Sequence, residues 1–115
     1  MKQPLMAWSN KTKAGTDGKT NDEITFKTVD GTYVRDETDI EFTMGGHGYC
    51  YDYIPKDEIW IDDSMEDKDR HATIIHEFVE RYVMKEFDLE YEDAHEKFAN
   101  VLEQAFRDAC EKQGV

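Results

Sequence analysis

His76, Glu77 and Glu80 share one five-residue run, His76-Glu77-Phe78-Val79-Glu80, whose residue types and spacing suit a metal ion with an acid/base group beside it. On a helix, residues four apart lie on the same side, so His76 and Glu80 can converge on one ion, while Glu77 projects about 100° round from His76. This reproduces the geometry of HExxH, where residues i and i+4 bind zinc and the glutamate between them acts on water. Glu80 stands where the second histidine of that pattern would be. A zinc site of this kind needs three protein ligands and a fourth position for water. His95, further along the chain, is the expected third ligand and gives two histidines and one carboxylate. Imidazole and carboxylate without thiolate suit zinc, and also manganese, iron or nickel, because affinity alone does not choose among them. Zinc is the expected ion, with Glu77 taking the proton during attack on a carbonyl. The same five residues also arise by composition in an acidic helix, where Glu80 would do no more than pair with nearby basic side chains.

Other candidates are weaker on spacing. His71 lies about 140° round the helix from His76 and is left out of the ligand set. His47 sits in the glycine-rich stretch GGHGY and reads as a loop histidine. Glu103 and Arg107, four apart, form a helix-surface ion pair, and Glu103 stands in the outer shell of the site at most. Tyr91 opens a helix, where it packs, or hydrogen-bonds a carbonyl oxygen if it faces the ion.

Elements must position these groups. Residues 9–22, SNKTKAGTDGKTND, hold almost nothing apolar, and residues 1–21 are expected to form a flexible arm. ITFKTV alternates apolar with polar side chains, and Asp30-Gly31 reads as a hairpin turn into TYVRD. IEFTM over 40–44, GYCYDYI over 48–54 and EIWID over 58–62 complete a sheet from residue 22 to 62. A first helix follows over about 67–86, with Ala72, Ile75, Val79, Tyr82 and Val83 on its apolar face and His76 at the edge of that face. A second runs over about 91–111 with a stripe of Ala94, Phe98, Val101, Leu102, Ala105, Phe106 and Ala109. The short link makes the two helices antiparallel. The fold class is α+β: an antiparallel or mixed sheet, then two antiparallel helices packed on it, as one domain over 22–115.

The stretch EIWIDDSMEDKDRHATIIHEFVERYVMKEFDLEYEDAHEKFANVLEQAFR, about the last half of the chain, resembles the core of minimal zincin-like metalloproteins of phage and prokaryotic genomes. The resemblance implies His76 as first ligand, Glu77 as general base and His95 as downstream ligand, in a hydrolase of peptide or amide bonds. Its strand beside the helix would hold an extended substrate. Glu80 departs from the family's histidine and exposes catalysis more than metal binding.

Composition limits the alternatives. With 27 acidic against 14 basic residues among 115, the net charge is −13, and such a surface repels nucleic-acid phosphates and anionic membranes. No stretch has the length of a membrane span or signal peptide, so a cytoplasmic protein is expected. Cys50 and Cys110 show no metal-binding spacing and are expected to be reduced. Two rivals to the hydrolase stand: a non-catalytic relative that uses its ion for stability, and a metal-free acidic protein that mimics nucleic-acid phosphates to block a protein partner.

Overall fold

In a computed structural model that describes residues 5–13 and 23–114, Asp30 starts a helix instead of turning a hairpin. The elements in chain order are β1 (Leu5–Lys13), β2 (Glu23–Val29), α1 (Gly31–Glu37), β3 (Gly45–His47), β4 (Glu58–Asp62), α2 (Asp67–Phe87), α3 (Tyr91–Asp93), a π-helical segment (Ala94–Ala99) and α4 (Asn100–Gln113). The Asp30 carboxylate accepts from the Tyr33 N–H at 3.1 Å, which caps the first turn of α1 and satisfies one of its otherwise unpaired donors. β2 then pairs with β4 in parallel, and parallel strands need a crossover between them. That requirement removes the expected hairpin. α1 supplies part of the crossover and buries Val34.

The sheet has four strands in the order β1-β2-β4-β3, with β1 and β3 antiparallel to their neighbours, so it is mixed and the class is α+β. β4, flanked on both edges, is buried from Ile59 to Asp62, as a central strand with both faces covered must be. Glu58 at its start accepts from Trp60 Nε1–H at 2.8 Å and from Lys27 Nζ at 2.9 Å.

Three further expectations are corrected. Leu5–Lys13, read as part of an arm, is an edge strand held by main-chain pairing to β2, which needs no apolar composition; the rest of that stretch lies outside the described residues. Residues 40–44 do not form the expected strand. Asp39 caps a turn there by accepting from Glu41 N–H at 2.9 Å, and Arg35 Nη1 takes the carbonyls of Phe42 and Thr43. Residues 48–54 turn as well: the His47 carbonyl accepts from both Cys50 and Tyr51, and a side chain at Gly48 would collide with the backbone of Pro55. The core of this part gathers Val29, Val34, Phe42, Ile54 and Trp60, with Tyr51 and Tyr53 packed at its margin.

The chain divides between Met65 and Glu66 into two compact units. The second is the helical one. α2 carries Asp67 and Asp69 in its first turn and Lys85 in its last, each complementing the helix dipole, and it ends at Asp88 in the left-handed region. Partners run in opposite senses along the two helices, Asp69 with Arg107, His76 with Glu103 and Glu80 with His95, so the helices are antiparallel as expected.

Candidate metal centre

The buried side of α2 is not the apolar face that periodicity predicts. It carries Ala72, Thr73, His76, Glu77, Glu80, Arg81 and Val83, whereas Ile75 and Val79 are only half-buried and Tyr82 is 46% exposed. The expected face is thus displaced toward the polar residues, and His76 sits within the buried side. Buried polar groups persist only when they find partners. For His76 and Glu80 those partners are each other, His95 and Glu103.

His76 Nε2, His95 Nδ1 and Glu80 Oε2 form a triangle with edges of 3.1, 2.8 and 3.3 Å. Tetrahedral ligands at zinc distances of 2.0–2.1 Å stand about 3.3–3.4 Å from one another, so the three atoms need only small outward shifts to share an ion. The sequence-predicted ligands His76, Glu80 and His95 are therefore brought together as a group able to hold a metal. Glu80 is 2% exposed, His76 is buried and His95 is half-buried.

Proton accounting sharpens the point. His76 Nδ1 lies 2.9 Å from Glu103 Oε1, and a carboxylate only accepts, so Nδ1 carries a proton and neutral His76 presents a bare Nε2 to the triangle. Glu80 Oε2 only accepts as well, so with His76 neutral the edge between these two atoms carries no proton unless His76 takes up a second one. A cation at the centre would satisfy them together.

The field of the site is negative. A carboxylate oxygen of Glu77 lies within 4.8 Å of one on Glu80. Burial, and then the charges of Glu80 and Glu103, push the Glu77 carboxyl up to about 8, against a smaller downward pull from His76. His76 is raised above its ordinary value: burial lowers it, but the hydrogen bond to Glu80 and the charges of Glu77, Glu80 and Glu103 outweigh that. Two carboxylates and two imidazoles held this way are what a divalent cation neutralises.

Tyr91 stacks on His95 with centroids 5.2 Å apart, and its hydroxyl lies 3.4 Å from His95 Nδ1, at the rim of the triangle. His71 is exposed and is not part of the His76, Glu80 and His95 group. His47, expected in a loop, is instead fully buried at the end of strand β3, where its Nδ1 accepts from the Tyr49 N–H. Neither Cys50 nor Cys110 forms a disulfide among the described residues.

Glu103 takes the outer-shell place expected of it and pairs with Arg107 as expected; its partner in the site, His76, and the shape of the second helix escape sequence reasoning. Glu103 contacts His76 directly and is itself gripped by Arg107 Nε at 2.9 Å, while Arg107 Nη1 holds Asp69 at 2.9 Å. The second helix also opens into a π turn at Ala94–Ala99, in which the Asn100 N–H donates to the His95 carbonyl five residues back. The expected stripe on this helix is disrupted accordingly: Ala94 is buried, but Phe98, Val101 and Leu102 are exposed. Periodicity assumes an unbroken α-helix and carries no sign of the extra residue. The chain matches no family model, no curated protein and no solved structure.

Proposed function

We propose that this chain is a zinc-dependent hydrolase of minimal zincin type, acting on a peptide or amide bond. The observation that carries the reading is the triangle of His76 Nε2, His95 Nδ1 and Glu80 Oε2, with no edge longer than 3.3 Å and with buried Glu77 beside it. His76, Glu80 and His95 would hold the ion, and the fourth position of a tetrahedral site would stay open. Bound there, zinc supplies Lewis acidity toward water and a substrate carbonyl.

The chain's own residues do the rest. Glu77 accepts the proton of the attacking water at its carboxylate and returns it to the leaving nitrogen as the carbon–nitrogen bond breaks. Its raised proton affinity suits both halves of that transfer, since a base works best when its pKa is near the working pH. The Tyr91 hydroxyl, beside His95, can donate to the carbonyl oxygen as charge builds there.

One observation favours a second reading, in which the same ion only stabilises the fold. The carboxylates of Glu77 and Glu80 are buried close together, and a cation relieves their repulsion whether or not turnover follows.

Zinc titration with elemental analysis tests both. The wild-type chain is expected to take up one equivalent, and His76→Ala and Glu80→Gln to lose it. Glu77→Gln separates the readings, because it is expected to keep zinc and to lose about 10²–10⁴-fold in peptide hydrolysis. Wild-type protein without zinc uptake overturns both readings; hydrolysis unchanged in Glu77→Gln overturns the enzyme.

A further inference from the structure

We propose that Glu103 is the positioning residue of the zinc site: through the π turn it is brought to His76 Nδ1, where it fixes the tautomer that leaves Nε2 free for the ion. This rests on the metal reading above. His95 and Glu103 are eight residues apart, and in an unbroken α-helix at about 100° per residue they would stand about 80° from each other round the axis. The π turn between them absorbs one residue with no net rotation and reduces the offset to about 20°. A single helix can then present both residues to the same imidazole, His95 at Nε2 by 3.1 Å and Glu103 at Nδ1 by 2.9 Å.

The hydrogen bond to Nδ1 excludes the opposite tautomer, in which Nε2 would carry the proton and could not ligate. The carboxylate also raises the basicity of the ring, as outer partners of metal-bound histidines do. Glu103 is held in place from behind. Its second oxygen receives Arg107 Nε–H, and Arg107 reaches across to Asp69 on the first turn of α2. His76 and Asp69 lie on one helix, Glu103 and Arg107 on the other, so the chain of contacts locks the helix pair at the spacing the ion needs.

Nitrogen-15 NMR of the histidine side chains, together with zinc competition against a chelator, tests this in the full-length chain. In zinc-free wild type, at a pH where His76 is neutral, its Nδ1–H tautomer is expected. Glu103→Ala is expected to mix the tautomers and weaken zinc binding 10- to 100-fold. Glu103→Gln, whose amide oxygen still accepts from Nδ1–H, is expected to recover most of the affinity while the Nδ1 resonance moves. Zinc binding in the wild type with unaltered affinity and tautomer in Glu103→Ala overturns this inference alone. Should Glu103→Ala not fold, an unmoved Nδ1 resonance in Glu103→Gln overturns it equally. A wild-type chain that binds no zinc overturns the metal reading as well.

Discussion

Glu77 combines burial with two neighbouring carboxylates, and the consequence reaches beyond catalysis. In the zinc-free folded chain its proton is held up to about pH 8, whereas the unfolded chain releases it near pH 4.5. Between those values the unfolded state binds fewer protons than the folded one, so this group's contribution makes stability fall as pH rises from 4.5 to 8. Below 4.5 both states are protonated and the penalty is absent. Glu77→Gln, which carries no charge at either pH, is expected to flatten that slope and to be more stable than wild type at pH 8. Denaturant midpoints across the range measure it, and an unchanged slope would show that Glu77 titrates normally.

At the level of elements, α2 buries polar side chains where periodicity expects apolar ones. Asp88 ends α2 with φ 55° and ψ 38°, a left-handed conformation that a side chain resists and glycine adopts freely. Asp88→Gly is accordingly expected to stabilise by up to about 1 kcal/mol, read as a rise in thermal midpoint. The second helix leaves Val101 55% exposed and Leu102 46% exposed, so neither contributes the burial its stripe position suggests. Substituting either by Ser is expected to change stability by less than about 0.5 kcal/mol. Val83→Ala, on the buried side of α2, should cost about 1–3 kcal/mol. A loss at Leu102 as large as at Val83 would contradict the burial described.

Over the whole molecule, a net charge of −13 on 115 residues makes self-repulsion a standing cost of the compact state. Raising ionic strength from about 0.01 M to about 0.15 M shortens the screening length from about 30 Å to about 8 Å. The zinc-free chain is expected to gain stability over that interval, whereas a chain held mainly by surface ion pairs would lose it. Comparing denaturation midpoints at the two salt concentrations decides between them. Among the described residues no helix is long and apolar enough to cross a membrane.

Helical spacing and a short link leave few ways to arrange the helix pair, so its antiparallel run and the grouping of His76, Glu80 and His95 are legible in the sequence, as is the strand Glu58–Asp62 from its alternation. What depends on partners distant in the chain is not legible there. Asp30-Gly31 is compatible with a hairpin or a helix cap, and parallel pairing of β2 with β4 selects the cap. The side of α2 that is buried follows from reciprocal hydrogen bonds among His76, Glu80, His95 and Glu103, which hydrophobic periodicity does not count. Only the tertiary structure put Glu103 on His76, since the π turn that rotates it there changes the angle per residue and leaves the residue types unchanged.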